Sequence, residues 1–195
     1  FTLPDAVRLV ATRGRLMQSM PPGSMLAVQA AEDEVRADLP AELSVAVVNG
    51  PGTCVVAGPS EAIETYADQL RDRKTGSRML RTSHAFHSSM MDPILTEFEA
   101  HVAGVRLSAP GLPFVSTLTG FWADAAVTRA RYWSDQLRST VLFADALRTV
   151  TAPTSPIERH PLFLEVGPGR ALTTFAGLTV GNDGPAPQCV ASLPG

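Results

Sequence analysis

Two of the chain's four histidines, His84 and His87, lie three residues apart in the segment RTSHAFHSSMMDP, residues 81–93. Histidine changes charge near neutral pH, so it is the side chain best suited to moving a proton there. Phe86 stands between the two, and small polar and methionine residues come after them. A metal site is disfavoured, because no cysteine is close by and Asp92 is the nearest carboxylate. Read alone, the segment fits equally well a loop with two solvent-facing histidines. Acyl chemistry through serine would need a nucleophile on a strained strand-to-helix turn, typically Gly-x-Ser-x-Gly. No such string occurs in the 195 residues. Ser83, Ser88 and Ser89 flank the histidines too closely in sequence to be oriented by them in the usual way. Cys54 sits in the apolar string TCVVAG, which raises a thiol pKa and leaves it inert.

Two further features invite chemistry and have blander accounts. Gly167-Pro168-Gly169 succeeds an apolar run, but phosphate loops need more glycines at fixed offsets or a Gly-Lys-Ser/Thr ending. A tight strand-to-helix turn is the better reading. Arg13, near the end of the first helical segment, is a cation that the helix dipole alone would favour.

The composition bounds the rest. With 45% apolar residues and 195 positions, one domain, or one domain with a small insertion, can bury a core. The net charge is −3, with no basic stripe and no interleaving of aromatics with Arg or Lys. A nucleic-acid partner is therefore not expected. No apolar run approaches the ~20 residues of a membrane span, and no signal peptide is evident. Cys54 and Cys189 lie far apart in apolar settings, which predicts buried free thiols and a cytoplasmic location. The chain opens on Phe1 and goes almost directly into a helix, so it reads as a piece of something longer.

These residues need elements to hold them. Residues 2–18 predict a helix: Thr2 caps it with Asp5 three positions on, and Pro4 falls in its first turn. Ala6, Val7, Leu9, Val10, Leu16 and Met17 give it an apolar face. Next come a strand over 25–29, a helix over 32–39, and strands over 43–49 and 53–57 joined at Asn49-Gly50-Pro51-Gly52. A helix over 60–74, capped by Ser60, and a strand over 77–82 complete this part. The order β-α-β-β-α-β is that of a ferredoxin-like unit. Beyond it come helices over 94–102, 130–137 and 144–150, a buried strand over 114–118, and a strand over 162–166 suited to burial on both faces of a parallel sheet. A helix over 170–176 and a last strand over 188–192 complete an α/β pattern.

Five segments, DAVRLVATRGRLMQ, AVVNGPGTCVVAGP, RTSHAFHSSMMDP, YWSDQLRSTVLFADAL and FLEVGPGRALT, taken in order, resemble the acyltransferase domain of modular type I polyketide synthases. Those domains are relatives of the bacterial malonyl-CoA:acyl-carrier-protein transacylases. The resemblance implies an α/β fold with a ferredoxin-like small subdomain, 19–83, set into a partial α/β-hydrolase-like large subdomain, 1–18 and 84–195. It implies a ping-pong reaction. A serine takes the malonyl group from CoA and passes it to the phosphopantetheine arm of an acyl carrier protein, with no cofactor or metal. His87 matches the general base. Gln136 matches the residue whose backbone carbonyl orients that base, and Arg13 the arginine that holds the extender's free carboxylate. Phe86, His84 and Met17 map to the substrate pocket, and the string HAFH accompanies malonyl over methylmalonyl. Partners implied are the carrier protein and the ketosynthase and linker regions of the same synthase.

The departure is as specific as the match. The family's Gly-His-Ser-x-Gly and Gly-Gln-Gly-x-Gln segments fall before residue 1. The expectation is an N-terminally truncated domain that does not turn over alone and that leaves apolar edges exposed. The rival reading is a non-catalytic ferredoxin-like module that docks a carrier protein or a neighbouring synthase domain. The transferase reading requires His87 and Arg13 to converge on one cleft.

Overall fold

In a computed structural model the structure describes residues 1–157, 161–180 and 187–193. Helix α1 spans Leu3–Gln18, with the Thr2 hydroxyl accepting from the Asp5 backbone N–H and Pro4 in the first turn. Then come strand β1 (Ser24–Val28), helix α2 (Glu32–Asp38), strands β2 (Ser44–Gly50) and β3 (Thr53–Gly58), helix α3 (Ser60–Asp72) and strand β4 (Ser77–Met79). β1 pairs antiparallel with both β3 and β4, and β2 with β3. The spatial order β4-β1-β3-β2 is the ferredoxin-like arrangement that the alternating pattern predicts.

Alternation along the strands sends Leu26, Val28, Val45, Val48, Cys54 and Val56 to one face, under Val35 of α2 and Ile63, Tyr66 and Leu70 of α3. The opposite face, with Met25, Ala46, Val55 and Ala57, packs on Ala85 and Phe86 of the histidine segment. A third core joins α1 to helices α4 (Leu95–Ala103) and α5 (Ala130–Arg138) through Leu9, Leu16, Phe98, Val102 and Leu137. Phe86 and Met90 pack against both the second and the third core, so the histidine segment is the seam between sheet and helices.

One strand lies outside the sequence expectation. The segment RSTVLF carries β5 (Val141–Leu142), which pairs parallel with β2 at Val47 and Val48. Thr140 reinforces the join by donating to the Val45 carbonyl at 2.7 Å. Helix α6 (Phe143–Thr151) begins at once and packs Ala144 into the core under α2 and α3. Strand β6 (Leu162–Glu165), helix α7 (Ala171–Val180) and strand β7 (Gln188–Ala191) close the described chain.

Four local expectations are corrected. Ser60 does not cap α3: Pro59 holds the cap position, and the Ser60 hydroxyl bonds that of Ser24 at 2.8 Å. Residues 114–118 form no strand. Val115 makes a single bridge to Trp122, and the run folds back at Gly120, whose positive φ suits glycine. β6 does pair parallel, with β7, but Leu164 is 58% and Val166 82% exposed. Apolar composition alone suggests burial there, yet the two-stranded pair has no second layer on that side among the described residues. Cys54 is buried as expected, whereas Cys189 is only half-buried. The expectation of exposed apolar edges is met on β6, and on α1, where Leu3, Val7 and Val10 form an exposed stripe.

Candidate active site

His87 sits in the left-handed backbone region, φ 57°, which is rare for a residue with a side chain and costs roughly 1–2 kcal/mol. Its neighbours impose it. The buried Ser88 hydroxyl donates to the Ala85 carbonyl at 2.6 Å and accepts from the Met90 N–H at 3.2 Å, closing a turn around the histidine. Met91 and Ile94 anchor the next segment, the 3₁₀ turn Ser89–Ile94, in the helical core. On the other side Gly23 approaches so closely that a Cβ there would lie 2.8 Å from the Ala85 Cβ and 3.0 Å from the Gly58 carbonyl. Glycine at 23 is thus a packing requirement.

His84 is buried, with Nδ1 at 2.8 Å from the Ser83 hydroxyl and Nε2 at 3.1 Å from the Met20 carbonyl. Both nitrogens are taken by protein, so His84 ties the segment to the end of α1. A loop with two solvent-facing histidines is thereby excluded, because His84 is buried. His101 lies beside Glu97 on the surface at 3.8 Å, and His160 falls outside the described residues.

The His87 ring is half-buried, and its Nδ1 lies 3.0 Å from the Ser139 carbonyl, just past the end of α5. A carbonyl only accepts, so Nδ1 carries the proton and Nε2 keeps a lone pair. Gln136, expected to supply this carbonyl, makes the weaker contribution through its own. The helix turns its last carbonyls outward at its C-terminus, and Ser139, one residue beyond it, comes nearest. Burial first, and the positive charge of Arg13 second, hold the His87 pKa below its ordinary 6.5, against the opposing pull of the two carbonyls.

This depressed pKa makes stability depend on pH. Unfolded His87 takes up its proton near pH 6.5, while folded His87 resists until lower pH. The stabilising contribution is complete above 6.5 and is lost as pH falls through the lower folded value. Histidine NMR should place the His87 midpoint below 6.5, and Arg13→Ala should raise it. A midpoint at or above 6.5 would contradict the roles given to burial and to Arg13.

Arg13 is half-buried on α1, and burial lowers its pKa. Its buried Nε has no hydrogen-bond partner among the described residues. An unmet buried donor costs about 1–3 kcal/mol, and more when charged. Arg13 and Gln136 are the polar residues lining a cavity of about 170 Å³ that is otherwise apolar, with Leu9, Val10, Phe98, Val102 and Trp133 among its walls. The His87 ring is not among the residues lining this cavity; it is tied to the two by the charge of Arg13, which acts on it, and by the Gln136 backbone carbonyl. Phe86, half-buried in the seam, and Met17, half-buried against the helical core, are not among the residues lining the cavity. Among the described residues no His, Cys, Asp and Glu cluster could hold a metal. Burial pushes the Cys54 thiol up to about 11, which keeps it from serving as a nucleophile. Gly167 and Gly169, both at positive φ, make the predicted tight turn. The Glu165 carboxylate occupies the helix start beyond it by accepting from Leu172 and Thr173 N–H at 3.2 and 2.8 Å. Ser139 escapes sequence reasoning, because its contribution is a backbone atom and leaves no mark in residue type.

Residues 1–177 match the family model described as "Acyl transferase domain". The chain is 44% identical over 173 residues to the Mycoketide-CoA synthase of Mycobacterium tuberculosis, covering 88% of this chain and 4% of that one. It is 41% identical over 181 residues to the Polyketide synthase GfsB of Streptomyces halstedii, covering 90% and 3%. In structure it resembles the acyl transferase domain of SpnD, with a TM-score of 0.89 at 37% identity, covering 97% of this chain and 45% of that one. It also resembles the acyltransferase domain from the second module of the salinomycin polyketide synthase, with a TM-score of 0.88 at 38% identity, covering 99% and 45%. The chain thus spans a small part of these curated synthases and under half of each of these solved chains. Its fold is α/β, a ferredoxin-like unit joined to part of an α/β-hydrolase-like body.

Proposed function

Because this chain belongs to the acyl transferase domain family of polyketide synthases, we propose that it supplies the base and the carboxylate clamp for moving a malonyl unit from CoA to an acyl carrier protein. The observation that supports this reading is an imidazole with a free Nε2 on which the charge of Arg13 acts, and a half-buried Arg13 guanidinium with an unmet N–H. A serine hydroxyl brought to Nε2 loses its proton there as its oxygen bonds the thioester carbon. The same proton then passes to the departing CoA sulfur. In the second half the phosphopantetheine thiol attacks the acyl-serine, and His87 moves its proton in the same way. Arg13 grips the free carboxylate throughout, through two parallel hydrogen bonds that a lysine cannot reproduce. His84 and Met17 are proposed to support the substrate pocket indirectly, His84 by tying the histidine segment to Met20 and Met17 by packing against the helical core. No cofactor enters the reaction, and the carrier protein, together with the ketosynthase and linker regions of the same synthase, is the implied cytoplasmic context.

No Gly-x-Ser-x-Gly lies in these 195 residues, so the serine belongs to residues outside them and the chain alone is expected to be inactive. Incubation of this polypeptide with radiolabelled malonyl-CoA should leave no stable acyl-protein adduct. The same incubation with a Gly-His-Ser-x-Gly segment of the family present should leave one. An adduct on the chain alone, or none in either case, would sink the reading. The docking-module alternative predicts carrier binding that is indifferent to Arg13→Ala.

Phe86 is the proposed sieve against an α-methyl group. The ring is held between two cores, so it cannot swing away at little cost. One methyl in an apolar pocket is worth about 1–3 kcal/mol, a preference of roughly 10- to 200-fold. Replacing His84, Ala85 and Phe86 by Tyr, Ala and Ser in an active form should lower the malonyl to methylmalonyl ratio of acyl-enzyme formed. An unchanged ratio would count against Phe86.

A further inference from the structure

The contact between His87 and Ser139 joins two segments 52 residues apart, and one hydrogen bond is a pivot, not a fixture. A second link joins the same two segments. Arg138, the last residue of α5, forms an ion pair with Asp92 of the 3₁₀ turn, five residues beyond His87. Arg138 immediately precedes Ser139, the residue that offers the carbonyl. The pair spans 46 residues of sequence, and both side chains are partly exposed. Neither charge is consumed elsewhere: no other ion pair among the described residues involves Asp92 or Arg138.

Two links a few residues apart do what one cannot. They fix both the distance between the segments and the rotation of the last turn of α5 about its own axis. That rotation decides whether the Ser139 carbonyl points at the imidazole. The apolar packing beneath, Met91 and Ile94 against Leu137, sets only how closely the segments approach. Nondirectional contacts of that kind tolerate small twists that an N–H···O bond does not.

We propose that Asp92 and Arg138 form a positioning pair that holds the Ser139 carbonyl on His87 Nδ1 and so keeps the proton off Nε2. Its functional meaning rests on the reading of His87 as a base, but its test does not. Exposed ion pairs contribute little to global stability, so removing this one should leave the fold in place.

The experiment is ¹⁵N–¹H correlation of the histidine rings in this polypeptide at pH 8, where His87 is neutral. The wild-type chain should show His87 mainly with its proton on Nδ1. In Asp92→Asn and Arg138→Ala the ratio of the Nδ1–H to the Nε2–H form should fall roughly 3- to 10-fold, the worth of about one net hydrogen bond. The swapped double variant, Asp92→Arg with Arg138→Asp, should recover most of the wild-type ratio. His84, whose partners lie elsewhere, should not change in any of them. An unchanged His87 ratio in both single variants overturns the proposal. So does a swap that restores nothing, or loss of the folded spectrum in Asp92→Asn, since the pair would then hold the fold and not the imidazole. Acyl transfer is not read, so failure here leaves the transferase reading standing, and failure of that reading leaves the tautomer result intact.

Discussion

His87→Ala, in a polypeptide that also carries the nucleophile segment, is expected to slow acyl-enzyme formation by about 10²- to 10⁴-fold, the usual worth of a positioned proton acceptor. The geometry argues for the upper part of that range. The ring is half-buried, its tautomer is set by a carbonyl, and its pKa is held below 6.5, so most molecules at pH 7 have a lone pair ready on Nε2. Little is lost to an unready population, and removal of the ring takes the whole effect. Rapid-quench capture of the radiolabelled acyl-enzyme would measure it in a single turnover. Phe86 and Ser88 keep the turn packed when the ring is gone, so circular dichroism should be unchanged. A loss under tenfold would mean that another group takes the proton. The rate should also fall on acidification, once His87 begins to hold its own proton below 6.5.

Arg13→Ala carries the second large effect, and it separates substrates. Two charge-assisted hydrogen bonds to a carboxylate are worth about 1.5–3 kcal/mol each. Loss of both should cut kcat/KM for malonyl-CoA by about 10²-fold or more, at ~1.36 kcal/mol per decade. Acetyl-CoA has no carboxylate and should be transferred about as well as before. Arg13→Lys should recover only part of the malonyl rate, because the charge returns without the fork. Competition between the two thioesters in one vessel reads the ratio directly. A parallel fall for both substrates would remove Arg13 from the clamp and leave it a structural role on α1.

What is legible in the sequence divides along a physical line. The small subdomain is readable element by element, because its strands alternate and its helices are amphipathic, although β4 spans Ser77–Met79 where the sequence predicts a strand over 77–82. Leu26 and Val28 face one way, Met25 and Ala27 the other, and Ile63, Tyr66 and Leu70 recur at helical spacing. Its content is local and periodic, so sequence carries it. β5 escapes such reading because two residues hold no period, and a strand that short exists only through its neighbour β2. The run at 114–118 misleads because apolar residues next to prolines fit a strand or a packed turn equally, and the Gly120 reversal decides for the turn. The burial of β6 depends on a layer that local sequence cannot reveal. At the site, side chains are legible and backbone is not. His87 and Arg13 announce themselves by type, whereas the acceptor of the His87 proton is a carbonyl that any residue at 139 would offer.

The seam at residues 139–142 has a mechanical side. The Ser139 carbonyl meets the imidazole, the Thr140 hydroxyl grips the Val45 carbonyl, and Val141 and Leu142 pair with β2, all within four consecutive residues. A rigid-body swing of the five-stranded sheet would therefore tug directly on the atom that steers the proton. The cleft cannot gape by hinging at this point without scrambling its own chemistry. This strap thus acts as a fixed axle between sheet and helices.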